Sequence, residues 1–331
     1  MTTQDESNLI DDTHEAISET VMVWSENLDK TISGWLEDKK KDPEEMVDRV
    51  SKLPAKTLED QVNYVDTFFQ TGKYLDETNN TYIRLRTQGY FQSKESADYG
   101  LRLSAQLPFK RSRKNLTIFI EDVTTDNADN ILQDDSEAPS LGISYFRPEK
   151  YGINSKYSLG LQGIDPYVRA RYNRFFNPND WLIDLSQAFQ YSVDDNFEEE
   201  TNIYFDRQFE DLTLFRVHLH RSTHQEIDGM DYAMSLEYYC CRKKNTGLRF
   251  SQTFIGNTEY PYLVDNGIDA PYRKTFSGIN NYVTTVTWRR NVWKNWFFYE
   301  VRPAVSFHKQ YDYDPNYTIR VFFDFYFGKF H

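Results

Sequence analysis

Long apolar stretches are missing from this 331-residue chain. No run approaches the roughly 18 apolar residues that a membrane-spanning helix requires, so helical spans are excluded. Bases are outnumbered, 38 Lys and Arg against 51 Asp and Glu, giving a net charge of −13. A chain this acidic is repelled by phosphate backbone, and no nucleic-acid partner is expected. Cysteine is reduced to one adjacent pair, Cys240 and Cys241. On a strand these two would point to opposite faces, which disfavours a bridge and leaves no disulfide framework. A Gly-rich phosphate loop, a Cys-x-x-Cys pair and a His-Glu-x-x-His motif are all absent from the sequence, and no cofactor is expected. Met1 to Glu6 carry neither the basic nor the apolar part of an export signal. Since the rest of the chain reads as exported, Met1 is expected to stand where a signal has been removed.

Aromatics, by contrast, are abundant. Tyr and Phe number 24 each, although only 39% of residues are hydrophobic and mean hydropathy is −0.73. A transmembrane barrel reconciles these figures, because each strand needs one apolar face while lumen, loops and turns stay polar.

Charge divides the chain. Residues 1–70 hold 17 acids and 7 bases, and the remaining residues are close to neutral. The expected units are an acidic helical module over 1–78, either periplasmic or a plug, and a barrel over 79–331. In the first, Ile10, Ile17, Val21, Trp24, Leu28, Ile32 and Trp35 recur at steps of mostly three and four, one apolar stripe on an acidic helix. Asp11, Asp12 and Thr13 are the expected N-caps, and Gly34 with Lys39 to Pro43 the expected stop. Further helices are expected over Glu44 to Val50 and Leu58 to Phe69. The stripe suits packing on the barrel rim, a plug, or docking of a periplasmic protein through residues 10–70.

Beyond residue 79 the period becomes two. Leu101, Leu103, Ala105 and Leu107 alternate with Arg102, Ser104 and Gln106; Ile319, Val321, Phe323, Phe325 and Phe327 form the last apolar face. Fourteen such runs begin near residues 80, 97, 114, 140, 156, 166, 180, 200, 211, 230, 246, 279, 295 and 317. The runs near 140 and 156 are short, so twelve strands is the alternative. Connections after even-numbered runs are mostly short, such as Lys110 to Lys114 and Asn177 to Asn179. Those after odd-numbered runs are mostly longer or more acidic, such as Thr124 to Pro139 and Gly256 to Ser277; Gly163 to Asp165 is the exception. Sorting by parity is what a barrel with both termini periplasmic requires. Phe109, Phe175, Phe176, Trp181, Trp293 and Trp296 sit beside the short turns and suggest an interfacial girdle.

The fold expected is therefore an all-β transmembrane antiparallel β-barrel with an N-terminal α-helical segment, in the bacterial outer membrane among lipid and lipopolysaccharide. The runs Asp165-Pro166-Tyr167-Val168-Arg169-Ala170-Arg171 and Trp296-Phe297-Phe298-Tyr299-Glu300-Val301-Arg302-Pro303, with the closing strand towards Phe330, resemble an uncharacterised family of proteobacterial outer-membrane proteins. The resemblance extends over residues 60–330. It implies the barrel and no activity.

With the apolar set on lipid, the alternate set lines the lumen. It holds Arg84, Arg86, Arg102, Arg169, Arg171, Arg216, Arg249, Arg289, Arg302 and Arg320, against Glu121, Asp184, Asp206, Glu237, Glu300 and Asp324. Ten arginines against six carboxylates either lock together as a salt-bridged ladder or make a porin-like, anion-favouring channel. The acidic N-terminal module can also sit in or against this basic lumen. A closed barrel anchoring an envelope complex through its helices is the rival function. A mitochondrial-type porin, which also begins with a helix, is disfavoured by the acidic charge and even strand count.

His218 and His220 lie on one strand face, roughly 6.7 Å apart at Cα, the weak candidate for a metal pair. A polar lumen wall is the blander expectation, and no metal is assigned. His220-Arg221-Ser222 also resembles the His-x-Ser pattern of outer-membrane phospholipase A and lipid A deacylase, where His activates the Ser hydroxyl. Here Thr223-His224 stands where the phospholipase has Asn-Gly, and parity puts the pair in the lumen. No catalytic residue is therefore assigned. The acidic segments Asp126 to Glu137 and Asp194 to Glu200 would, at most, hold divalent cations that bridge lipopolysaccharide phosphates.

Overall fold

A computed structural model describes residues 3–35, 58–71, 80–109, 115–121, 140–194, 196–210, 212–225, 229–243, 245–264 and 272–328. The expected helix over Glu44 to Val50, the stop at Lys39 to Pro43, the turn Lys110 to Lys114, the acidic segment Asp126 to Glu137 and Phe330 lie outside the described residues.

Two helices precede fourteen strands: α1 (Thr3–Trp35), α2 (Leu58–Phe69), β1 (Tyr82–Gln92), β2 (Asp98–Pro108), β3 (Leu116–Glu121), β4 (Ser140–Lys150), β5 (Ile153–Gln162), β6 (Asp165–Phe176), β7 (Trp181–Ser192), β8 (Phe197–Glu210), β9 (Thr213–His224), β10 (Asp231–Lys243), β11 (Thr246–Val264), β12 (Tyr272–Trp293), β13 (Phe297–His308) and β14 (Pro315–Gly328). Every strand pairs antiparallel with its chain neighbours, and β1 pairs with β14 from Tyr82↔Gly328 to Gln92↔Thr318, closing the barrel. Closure leaves no strand edge, the condition a sheet must meet in lipid. Strands of 10 to 14 residues predominate. At about 3.3 Å per residue and a tilt near 45°, these match an apolar band about 25 Å tall.

Termini and short turns share one end, here the turn end; the longer connections share the loop end. The link Gly163-Ile164 is a tight turn at the loop end, with Gly163 at φ 60 and Ile164 fully out in solvent. The expected alternation of faces holds: Leu101, Leu103, Leu159, Leu161, Met234, Phe250, Ile319 and Phe323 are exposed on the outer wall, while Ser104, Gln106, Ser235, Thr253, Phe322 and Asp324 are buried within.

Two elements differ from the sequence reading. Gly256 to Ser277 reads as a loop, yet β11 and β12 form a hairpin of 19 and 22 residues. Register shifts between Ile255 and Gly256 and between Asn257 and Tyr260 break the apolar alternation there, which conceals the strand. Helix α1 begins at Thr3, well before Asp11. Thr13 Oγ1 donates to Leu9 O at 2.8 Å, so this side chain bonds back along the helix and caps nothing. Helix α2 has the expected bounds.

Candidate functional site: a helix seated in the barrel mouth

The turn end of the barrel is filled. Inward residues of six strands, Tyr82 (β1), Leu182 (β7), Leu214 (β9), Tyr239 and Cys241 (β10), Phe298 (β13) and Tyr326 (β14), with Phe175 of β6 at their margin, form one apolar cluster with Val62, Val65, Phe68 and Phe69 of α2. α2 therefore lies inside the sheet. Its apolar residues recur at steps of three and four, and the first turn carries Glu59 and Asp60, which suit a helix N-terminus. Phe69 meets Tyr239 edge-on at 5.3 Å and Phe68 meets Phe298 at 6.1 Å. Gly247, an inward position on β11, makes this approach possible: a Cβ there would stand 2.7 Å from both the Phe68 and Phe69 rings.

Polar contacts fix the helix in place. The Asp66 carboxylate, fully buried, accepts from Arg216 Nη1 at 2.7 Å and Nη2 at 2.9 Å. Arg216 also donates to Asp206 from Nε at 2.6 Å and Nη2 at 3.1 Å. Bidentate pairing on both edges fixes the guanidinium plane. Gln61 Oε1 accepts from the Leu212 backbone N–H at 3.2 Å, and Thr71 Oγ1 donates to Asp66 Oδ1 at 2.5 Å. Arg84 bonds Ser104 at 2.9 Å and Gln70, just past α2, at 3.4 Å.

Next to this apolar layer, towards the loop end, lies a charged layer. Asp324 accepts from Arg86 Nε at 2.6 Å and from Arg289 Nη1 at 2.6 Å; Arg289 Nη1 also reaches Glu300 at 3.0 Å. Arg302 pairs with the other Glu300 oxygen. Arg86 and Arg302 both stand against the ring of Phe322, at 4.9 and 4.8 Å from its centroid. Arg289, Glu300 and Asp324 are completely buried. Such charges persist in a protein interior only when paired. Arg169 bonds Glu200 at 2.7 Å, Arg249 lies over the Tyr239 ring and Arg320 over Tyr90. Arg102 faces Arg86 in register, and Arg171 is half-buried beside Lys156. The sequence-derived arginines are thus on the inner wall. The Glu121 side chain lies outside the described residues.

Farther from the turn end, His218 Nε2 and His220 Nδ1 converge on Asn202 Oδ1 at 2.8 and 2.9 Å, so both nitrogens are donors there. Asn202 Nδ2 in turn donates to Glu200 at 2.8 Å, and His218 stacks on Tyr204. The two imidazoles share one amide oxygen. Among the described residues no group of three His, Cys, Asp or Glu has metal-ligand geometry. No hydrogen bond joins Ser222 to His220 among them either.

The apolar stripe of α1 does not pack on the barrel. Ile10, Ile17, Trp24 and Leu28 are exposed, at 48%, 42%, 73% and 38%; Val21 is buried, Ile32 half-buried, and the Trp35 side chain lies outside the described residues. The face turned inward is instead mostly polar, with Asp11, His14, Ser18, Ser25 and Asp29. Asp11 accepts from Lys294 Nζ at 2.8 Å and Trp293 Nε1 at 3.2 Å. His14 bonds Tyr326 O at 2.6 Å and stacks on Trp296 and Phe327. Lys294 beside Asp11 holds its carboxyl below the usual carboxylate range. This contact also alters the expected aromatic girdle. Trp293 and Trp296 serve the helices, Phe109 is buried and Phe175 points inward, while Phe176 stays exposed and Trp181 half-exposed.

Closure, outward apolar face and charged interior define a transmembrane β-barrel of the outer-membrane class. In comparison with solved structures, the chain is similar to OmpT, an outer membrane protein of Vibrio cholerae (9% identity, TM-score 0.45, 75% of this chain and 97% of that one). It is also similar to the anion-selective porin of Comamonas acidovorans (8%, 0.42, 75% and 98%) and to OccK11 of Pseudomonas aeruginosa (9%, 0.42, 75% and 95%). Likeness this distant assigns no solute and no activity. No protein-family model and no curated protein matches the sequence, so the barrel implied by the family resemblance is present while the family itself is unsupported.

Sequence reading found the inner arginines through parity. It missed the partnership of Asp66 with Arg216, although an acidic residue on the buried face of an amphipathic helix is a signal that a cation awaits it.

Proposed function

We propose that this protein is an outer-membrane channel of porin type whose mouth is held shut by α2, with the turn end and both termini periplasmic. The observation that carries the reading is the seat of α2: an apolar collar from six strands, a glycine notch at Gly247 and a buried carboxylate on Arg216. A barrel that served only as a wall would need no inner helix matched to it by charge and shape. With α2 seated, the apolar cluster excludes ions. With α2 released, one buried carboxylate leaves the lumen, and the arginine excess among the remaining inner charges favours anions. Planar-bilayer recording of the full chain and of a chain lacking residues 58–71 tests this. The deletion should raise conductance strongly and pass chloride better than potassium; a silent deletion variant rejects the channel.

A second reading has one observation in its favour. The shut mouth and the exposed stripe of α1 suit a closed barrel that anchors an envelope complex through residues 10–70. Silent bilayers with both chains, and a periplasmic protein retained by the wild type but not by a chain lacking 3–35, would favour it. A lipid hydrolase built on His220 and Ser222 has least support, since the serine and histidine are not joined; absence of phospholipid and lipid A turnover in the wild type ends it.

A further inference from the structure

Helix α1 separates its surface into three sectors. Its inward polar face meets the barrel rim through Asp11 and His14. At 3.6 residues per turn, Ile10, Ile17, Trp24 and Leu28 share an arc of about 40°, and Asp12, Glu15, Glu19 and Glu26, all exposed, lie on the opposite side of the helix. Thr13, Thr20 and Thr31 border the apolar arc. The first rim contact is with Trp293 and Lys294 at the β12–β13 turn, the next with Trp296, Tyr326 and Phe327, and α1 also approaches β2. The helix therefore runs along the rim, beneath the seam where β14, β1 and β2 meet.

The rim residue that His14 stacks upon belongs to the outer wall. Phe327 continues the outward row of Phe323 and Phe325, both of which stack on Phe297, with centroids at 6.3 and 4.8 Å. The lipid-facing belt of the barrel is thus continuous with α1.

We infer that α1 is an interfacial helix: its Ile10–Ile17–Trp24–Leu28 stripe docks on the phospholipid leaflet that surrounds the turn end of the barrel. Three observations select lipid over a protein partner. The stripe is contiguous with the lipid-facing aromatic belt. Its outer border is threonine, which is uncharged and keeps its hydroxyl on the helix backbone, so the edge enters the leaflet without burying a charge. The exposed carboxylates of Asp12, Glu15, Glu19 and Glu26 are on the far side of the helix from the stripe, where they are farthest from lipid phosphates. A basic partner helix would need acids beside the stripe; its outer flank holds Thr13, Thr20 and Thr31, and its rim-side flank His14, Val21 and Ile32. A second copy of α1 would bring two acidic helices together.

Tryptophan quenching in vesicles of phosphatidylethanolamine and phosphatidylglycerol tests the inference on the full chain. The contribution of Trp24 is the difference between the wild type and Trp24→Phe. It is expected to be quenched by acyl-brominated phospholipid and shielded from iodide. In the Trp24→Phe background, Glu19→Trp places an indole on the opposite face; that indole is expected to escape the brominated lipid and to be quenched by iodide. Both positions are exposed, so neither change threatens the fold. Trp24 open to iodide and untouched by brominated lipid overturns the inference and returns the stripe to a protein partner. Equal lipid quenching at 24 and 19 overturns it too, because the helix would then be immersed without a preferred face.

Discussion

Replacing Asp66 by alanine should loosen the stopper without altering the barrel wall. The carboxylate is fully buried and accepts two hydrogen bonds from Arg216 at 2.7 and 2.9 Å. Removing one partner of a buried pair costs about 3–5 kcal/mol, because the other charge is left uncompensated. Arg216 keeps its bonds to Asp206, so the lower end, about 3 kcal/mol, applies here. Asp66 contributes only when α2 is seated, so the loss falls on the equilibrium between seated and released helix. At about 1.4 kcal/mol per tenfold, the released population should rise roughly 100-fold. The assay is single-channel recording at fixed voltage, scored as the fraction of time open. Full opening should reach the conductance of the 58–71 deletion, since the lumen behind the helix is unchanged. Asp66→Ala channels that open no more often than wild type, while the deletion conducts freely, would refute the electrostatic account of the seat.

Gly247→Val should unseat α2 by collision with Phe68 and Phe69 and raise open time with Asp66 intact; Phe69→Ala in the same chain should restore part of the closure, measured by the same recording. Arg289→Ala leaves Glu300 and Asp324 short of a shared cation and should destabilise the barrel by about 3–5 kcal/mol, read from urea unfolding in detergent. Asn202→Leu removes the one acceptor that His218 and His220 share, and should cost about 1–3 kcal/mol in the same unfolding assay. The Asp11 carboxyl is lowered in the folded chain, chiefly by its hydrogen bond to Lys294. Its contribution to rim docking of α1 is therefore complete above the ordinary aspartate range and lost as pH falls through a value below 3.8. Limited proteolysis of α1 with an acid-active protease should be slow at pH 5 and accelerate below that value, and Asp11→Asn should remove the difference.

The barrel was legible because lipid imposes a rule that each strand obeys locally: apolar out, polar in. Alternation in Leu101 to Leu107 or Ile319 to Phe327 needs no knowledge of the partner strand. The same rule placed Arg86, Arg216 and Asp324 on the inner wall. It fails where the register shifts, which is why the far part of the β11–β12 hairpin read as a loop. It does not reach α1 either: the helical stripe left rim packing, a plug and docking open, and the rim contact is made by Asp11 and His14. The seat of α2 depends on a pairing 150 residues apart, Asp66 with Arg216, and on a hydrogen at Gly247 where any other residue would carry a carbon. Asp66 on the buried face of α2 signals locally that some cation awaits it but not which one, and Gly247 has no local signature at all.

Enclosure of α2 has a consequence for biogenesis. The helix leaves the ribosome ahead of every strand, yet it ends up packed against residues of strands as far apart in the chain as β1 and β14. The seam joins the first strand to the last, so the wall cannot be completed until β14 arrives. A segment already waiting when the cylinder closes can act as a mandrel, with Tyr82 and Tyr326 on either side of the seam meeting its surface as the final staves are fitted.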